Sequence, residues 1–456
     1  RWQVPESECR AEKGFIIHAP SGRQDSYGSF ALAAASLPIP ENVSLKHPRD
    51  FNLIGTSPLP LDGPAKVSGA ANFGNDIKLE GMLIASVVHS PVFGGTLSTF
   101  DDTRARAVKG VRHILPIDSG VAIVAENFWA AQKAREVLDI TWDFDHSTNV
   151  TTETIRKQYQ EAIENPATIV KQQGQPLHTG GNHKKTLEVT YESPFQAHAT
   201  MEPMCCTAQV HDNECDIWAP TQAPSEAQQA AARYIYTRPG RILERLKGSL
   251  GRSSFDQIRV HTTFLGGGFG RRVEHDFIAE TVQIAKAINS PVKLIWTREE
   301  DIQHDFYRPY TYHRLSAILG DNGSPMSWTH RIVGPAKYIS SGCVSGIHYS
   351  IPHFQQEFVE AKYPVPTGYW RSVSCSQTNY ASECFMDELA AAAGEDPYQY
   401  RRRLLVTTPR MQAVMDLAAD KAGWGKALPK GYFHGIAINH SHGSYVAQIV
   451  ELSVEE

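Results

Sequence analysis

The chain has 456 residues, a formal net charge of −5, 41% hydrophobic and 20% charged residues. That length holds about three domains of roughly 150 residues, and an acidic balance without a basic block argues against nucleic-acid binding. No apolar run approaches the roughly 18–20 residues of a membrane-spanning helix. The seven cysteines show no C-x-x-C spacing, which argues against a disulfide scaffold, a structural zinc or an iron–sulfur cluster in this chain.

In chain order, residues 1–50 are mixed and alanine-rich, and Ala31 to Leu37 predicts a short helix ended by Pro38. The proline-rich stretch Pro58 to Pro64 opens a second region over 51–150. There, strand-like runs such as Gly81 to Val88 and Val137 to Trp142 alternate with a helix near Phe128 to Arg135. Residues 151–185 read as a polar helix from Glu153 to Glu164, with Thr152 as N-cap, followed by a linker. From Leu187 the pattern is β. Further on, Glu383 to Ala393 reads as a helix, with Gly394 to Pro397 as a stop and restart before Tyr398 to Leu405.

The densest signal is Phe264-Leu265-Gly266-Gly267-Gly268-Phe269-Gly270-Arg271-Arg272. Before it, Ile258 to Phe264 alternates like a strand. After it, Phe277, Ile278, Val282, Ala285 and Ile288 fall at helical spacing, stopped by Asn289-Ser290-Pro291 before a second strand from Val292 to Trp296. Glycines at a strand-to-helix turn permit positive φ and close backbone approach, and the start of the helix behind them favours anionic groups. A phosphate-binding P-loop would end in Gly-Lys-Ser/Thr, where this chain has Arg271-Arg272-Val273. A dinucleotide fingerprint would need a third glycine in place of Arg271 and an acidic residue about twenty positions on, and Ile288 to Trp296 has none. A tight connection without a ligand is the bland alternative. Phe269 between glycines argues against it.

The run LGGGFGRR resembles the molybdenum-hydroxylase family (xanthine dehydrogenase, aldehyde oxidase). The double arginine is similar to the isoquinoline 1-oxidoreductase β-subunit branch, which includes bacterial membrane-associated aldehyde dehydrogenases. Ala197 to Met204, Trp218 to Ala223, Trp296 to Pro309, Gly368 to Val373, Gly435 to Ala437 and Gly443 to Ala447 carry the resemblance through the chain in the family's order. The resemblance implies an α+β fold: an N-terminal remnant at 1–50, an α/β hammerhead domain at 51–150, a helix and linker at 151–185, a first molybdopterin-binding domain at 186–410 and the start of a second at 411–456. Asp62, Lys66-Val67 and Gly69 match the hammerhead opening, with Pro60 where the family usually has arginine.

By the same resemblance Gln222 donates its amide to an oxygen ligand of the molybdenum, and Gly267, Gly268, Phe269 and Gly270 form the loop beside the metal with backbone N–H donors. The backbone around Arg371 also approaches the metal. Arg271 is the better of the two arginines for gripping a cofactor phosphate, the other being solvated. Gly443-Ser444-Tyr445 is similar to a further cofactor-adjacent turn.

The implied cofactor is molybdopterin, in its cytosine dinucleotide form in bacteria. The implied activity is hydroxylation of an aldehyde or N-heteroaromatic small molecule with oxygen from water. Electrons leave through a separate [2Fe–2S] subunit, onward to a cytochrome c, at the periplasmic face of the inner membrane or in the cytoplasm. The family's catalytic glutamate stands in a Gly-Val-Gly-Glu run, and a further cofactor loop reads Met-Gly-Gln-Gly. Neither run occurs in these residues. The expectation is a central piece of the subunit that needs the subunit's remaining parts and is inactive alone, since removing a general base costs roughly 10²–10⁴ in rate. A nicotinamide-dependent dehydrogenase and a non-catalytic homologue remain as alternatives.

Other constellations carry less. His198 and Glu202 are four apart, but Pro203 points to an extended segment rather than a ligand-bearing helix. His440-x-His442 has no acidic partner nearby and reads as surface or cofactor-rim histidine. Gly342-Cys343-Val344-Ser345-Gly346 places its serine one position late for a nucleophile elbow. Glu299-Glu300-Asp301 reads as a solvated turn or the charged start of a helix.

Overall fold

The computed structural model describes residues 2–144, 150–177, 185–212, 214–236, 257–335 and 347–455. It divides into two compact units, Arg1–Ala70 and Ala71–Glu456.

The smaller unit carries an antiparallel meander of β1 (Cys9–Glu12), β2 (Phe15–His18) and β3 (Arg23–Ser26). Lys13 and Gly14, at φ 49° and 85°, make the tight β1–β2 turn. The following helix, Tyr27–Ala34, starts and ends earlier than the alanine run suggests and buries no residue.

The larger unit holds β4 (Leu83–His89), β5 (Thr96–Asp101), β6 (Val111–Ile117), β7 (Gly120–Ala125), β8 (Asp139–Asp143) and β9 (Thr168–Gln173). Then follow β10 (Thr186–Ser193), β11 (Cys205–His211), β12 (Glu214–Ala219), β13 (Ile258–Thr262) and β14 (Val292–Ile295). Last come β15 (Thr311–Leu319), β16 (Pro325–Gly334), β17 (His353–Glu360), β18 (Tyr432–Ser441) and β19 (Ser444–Ser453).

Among the described residues seven strands form one sheet in the order β13-β12-β11-β14-β4-β7-β6. Every residue of β7 is buried, as a continuous apolar run in a sheet covered on both faces requires. Helices Pro224–Ile235 and Asp276–Ile288 pack on it through Ala227, Ala231, Ile235, Phe277, Ile278 and Val282. Helix Phe128–Arg135 lays Ala130, Ala131 and Ala134 against Ile123 and Ala125. Asn127 caps that helix through the Ala130 N–H.

A second sheet runs β10-β15-β16-β17-β9. Helix Cys375–Ala393 covers part of it, with Trp328 edge-on to Phe385 at 4.8 Å. Helix Thr152–Ala162, capped by Thr151, packs Tyr159 against Tyr310 and Val333.

The α+β class stands, and four features describe how the segments group. The first compact unit extends to Ala70. Within 51–150, β5 and β8 pair with each other, while β4 pairs in parallel with β14 and so joins the sheet of the glycine loop. The 151–185 segment is more than a linker, since β9 pairs with β17. Finally, Met411, Met415, Ile436 and Ile438 share one core with Phe385 and Trp328, so 411–456 does not stand apart from 186–410.

Candidate cofactor site

β12 and β13 are neighbouring parallel strands, with Ala219 beside Thr262. Their carboxyl ends deliver two segments to the same edge: Pro220 to Gln222 after β12, and the glycine loop after β13. Ligands of open sheets bind at such carboxyl ends.

The two segments are stitched together. Gln222 donates its backbone N–H to the Arg272 carbonyl at 2.9 Å, and its side-chain Oε1 accepts the Gly270 N–H at 3.0 Å. The turn needs its glycines: Gly267 and Gly270 have φ of 104° and 108°. A Cβ on Gly268 would stand 2.6 Å from Gln222 Oε1, and one on Gly270 would stand 1.5 Å from the Tyr369 carbonyl oxygen. Phe269 sits between them at φ 55° and is 46% exposed, an unusual position for a phenyl ring unless something else covers it.

Arg371 arrives from a third segment. Its N–H donates to the Phe269 carbonyl at 2.8 Å, and its guanidinium lies 5.9 Å from the Phe269 ring centre. Gln222, Gly268–Gly270 and Arg371 therefore converge. Ala199, Phe269, Ser372 and Val373 all have left-handed backbone here, at φ 46°, 55°, 62° and 52°. Such strain concentrates where structure around a site over-determines it.

Arg271 and Arg272 are corrections. Neither is solvated and neither is free for a phosphate: they are 1% and 0% exposed. The Arg271 guanidinium donates both Nη groups to Asp276, at 2.9 and 2.7 Å, between the rings of Trp296 and Phe306. Burial alone would lower its pKa, but Asp276 and Asp305 outweigh that and raise it. Arg272 turns back under the loop, donating to the carbonyls of Gly267 and Glu202 at 2.7 Å each. The physical cause is that an arginine pair looks solvated until Asp276, Asp305 and Glu202 are folded against it.

The sequence reading also passed over three structural partners of the loop. Glu202 accepts from the Gly266 N–H at 3.1 Å, the Asn75 N–H at 3.2 Å and Arg272. His198 and Asp305 pair with each other, at 2.9 Å between Nδ1 and Oδ1. His198 and Glu202 thus share no ligand, in keeping with their extended segment. An acid and a histidine flanking one glycine loop were visible in the chain, but nothing local said which way either would turn.

The donor set has a clear chemical character. With Gln222 Oε1 committed to Gly270, its NH₂ remains the end that can donate outward, and Arg371 adds an exposed cation. The Glu202, Asp276 and Asp305 carboxylates turn inward onto arginines and backbone. Such a face suits an oxygen-rich anionic group.

Elsewhere, His89, Glu300 and His304 bring their ligand atoms within 4.8 Å. They form a closed ion network. His89 lies between Glu300 at 2.6 Å and Glu280 at 2.7 Å, and Arg135 takes the other Glu300 oxygen at 2.5 Å. Burial would lower the His89 pKa, yet the two carboxylates bring it up to about 10. Burial and the neighbouring His89 bring His304 down to about 4. Glu300 and Asp301 therefore belong to a buried helix start capped by Thr297, not to a solvated turn. His440 stacks on Tyr445 at 4.4 Å, and Gly443-Ser444-Tyr445 continues from the β18–β19 hairpin turn. Gly342 to Gly346 lies outside the described residues.

Residues 160–405 match the family profile of the molybdopterin cofactor-binding domain, and the chain belongs to that family. It is 25% identical to the isoquinoline 1-oxidoreductase subunit beta of Brevundimonas diminuta, over 99% of this chain and 64% of that protein. It is 28% identical to a membrane-bound aldehyde dehydrogenase of Gluconacetobacter polyoxogenes, named for pyrroloquinoline quinone, over 92% of this chain and 59% of that one. The chain thus spans about six tenths of the length of these relatives. In fold it is similar to quinoline 2-oxidoreductase from Pseudomonas putida 86, at TM-score 0.65 and 16% identity, covering 85% of this chain and 57% of that one. The aldehyde oxidoreductase of Desulfovibrio desulfuricans superposes at TM-score 0.64 and 16% identity, covering 87% and 50%.

Proposed function

We propose that this chain is the cofactor-cradling part of a molybdopterin-dependent oxidoreductase that hydroxylates aldehydes or N-heteroaromatic compounds with oxygen from water. The observation that carries the reading is the convergence of Gln222, Gly268–Gly270 and Arg371 at one donor-rich edge. Molybdopterin, when bound, supplies a two-electron redox centre, and the cytosine dinucleotide form is the one proposed here. The protein's own residues do the positioning. Gly270 fixes the Gln222 amide in advance, so its NH₂ meets developing negative charge without reorganising. Arg371 adds positive charge beside it, and the half-exposed Phe269 ring offers an apolar surface next to that cation.

In this reading electrons leave through a separate [2Fe–2S] subunit and a cytochrome c, in the periplasm. The likeness to a subunit beta and to a membrane-bound aldehyde dehydrogenase supports partners and substrate class.

Metal and pterin analysis of the purified complex tests this. Molybdenum with a pterin cytosine dinucleotide, iron in a co-purifying subunit, and dye-linked aldehyde oxidation are expected. A quinone or nicotinamide cofactor without molybdenum would overturn the reading. So would a metal-free complex.

A further inference from the structure

We infer that His198 is a positioning residue: it bridges Asp305 and the Tyr369 carbonyl and so holds the strained Arg371 turn against the glycine loop. As a statement about catalysis this rests on the cofactor reading above. As a statement about the protein's backbone it does not.

The turn does not hold itself. Ser372 and Val373 are consecutive non-glycine residues at φ 62° and 52°, and a β-branched valine is sterically disfavoured there. The turn's own bond, from the Val373 N–H to the Trp370 carbonyl at 2.6 Å, closes it without fixing its place. Backbone of this kind persists only where neighbours over-determine it.

The neighbours converge from the segment before Glu202. His198 Nε2–H donates to the Tyr369 carbonyl at 2.9 Å, and the Trp370 indole N–H donates to the Ala197 carbonyl at 3.4 Å. The Tyr369 carbonyl is the same atom that leaves no room for a side chain on Gly270. His198 thus grips the oxygen that marks the closest approach of the two cofactor-facing segments.

The imidazole is locked from its other side. Nδ1 lies 2.9 and 3.0 Å from the two oxygens of Asp305, which also accepts the backbone N–H of His198. Asp305 Oδ1 stands 3.1 Å from Nε of Arg271, the residue that follows Gly270. The contacts close a ring: Gly270, Arg271, Asp305, His198, Tyr369 and back to Gly270. Opening it at His198 loosens the Arg371 turn, which keeps only its Arg371 N–H bond to the Phe269 carbonyl and its Gly368 N–H bond to the Tyr307 carbonyl as backbone anchors, and leaves the Arg271–Asp276 pair intact. The His198 side chain is only 1% exposed, so it acts through the turn and not by touching a ligand.

Two substitutions separate the two ends of the ring. His198→Asn keeps a donor near Nδ1 and cannot reach Tyr369. His198→Gln places a donor near Nε2 and gives up Asp305. Hydrogen–deuterium exchange on the full chain, with no cofactor needed, should show residues 368–376 exchanging roughly tenfold faster in His198→Asn, with helix Asp276–Ile288 unchanged. His198→Gln should restore much of the protection. In the loaded complex His198→Asn should lower kcat about 10–100-fold, the usual effect of removing a supporting contact, with KM within about twofold.

Unchanged exchange at 368–376 in His198→Asn would overturn the inference, as would equal loss in both variants. If His198→Asn does not fold, His198→Gln carries the test, and exchange at 368–376 roughly tenfold faster than wild type in it sinks the idea. Absence of molybdenum from the wild-type complex would defeat the cofactor reading and leave the exchange result standing.

Discussion

The Gln222 side chain accepts the Gly270 N–H at 3.0 Å across 48 positions of sequence. This contact fixes both orientation and chemistry, because it turns the amide's donor end away from the protein. Gln222→Ala should therefore lower kcat by about 10²–10³, the scale of one preorganised donor, and change KM far less. Molybdenum content should stay near that of wild type. A variant that loses KM and kcat in parallel through lost cofactor would show that Gln222 holds the cofactor rather than tuning it.

The loop glycines should not be equivalent. A methyl on Gly268 meets the movable Gln222 amide at 2.6 Å, whereas one on Gly270 meets the Tyr369 backbone carbonyl at 1.5 Å in a left-handed conformation. Gly268→Ala should retain part of its molybdenum and shift the Gln222 geometry. Gly270→Ala should lose the cofactor, with strain on the order of 1–3 kcal/mol from the backbone conformation alone. Gly268→Val, with its β-branched bulk, should also lose the cofactor while keeping the fold. Metal content per chain and Tm check all three, and equal retention in the two alanine variants would refute the distinction.

The parts of this site that were legible in the sequence are those set by local chemistry. Strand, glycine turn, helix and the Asn289-Ser290-Pro291 stop are each written within a few residues. Helix Phe128–Arg135 came out as read because its Ala face and Asn127 cap are local too. What the chain concealed was long-range. The parallel pairing of β14 with β4 joins segments more than 200 residues apart and leaves no local trace. Helix Cys375–Ala393 begins well before Glu383 because its first turns bury Gln377 and Thr378, polar residues that disguise a core-facing surface. The burial of the arginine pair is concealed in part for the same reason, since Asp305 and Glu202 become its neighbours only through the fold.

Arg271 gives a prediction that separates scaffold from phosphate grip. Arg271→Ala leaves Asp276 and the fully buried Asp305 without their cation. Breaking one side of a buried pair costs about 3–5 kcal/mol, so the Tm of the cofactor-free chain should fall sharply. Arg271→Lys should rescue little of it, since one ammonium cannot reproduce two parallel bonds to Asp276. A variant of normal Tm with weakened cofactor affinity would instead restore the phosphate role.

The His89 network predicts how stability depends on pH. His89 titrates near 6.5 when free and at about 10 in the fold. A proton bound more tightly by the native state stabilises it fully below pH 6.5, and that contribution drains away as pH rises through 10. His304 moves the other way, from 6.5 to about 4, because burial and His89 disfavour its charged form. The unfolded chain then takes up the extra proton, so stability falls as pH drops from 6.5 towards 4. Glu300, lowered by His89 and Arg135 against the effect of burial, adds a further loss on the acid side. The stability maximum attributable to this network lies near pH 6.5, with slopes up to about 1.4 kcal/mol per pH unit for each proton. Urea midpoints between pH 6.5 and 10 should fall in the wild type. In His89→Gln the midpoint starts lower and the alkaline slope flattens, because no proton is left there to lose. An alkaline slope unchanged by His89→Gln would place the titrating group elsewhere.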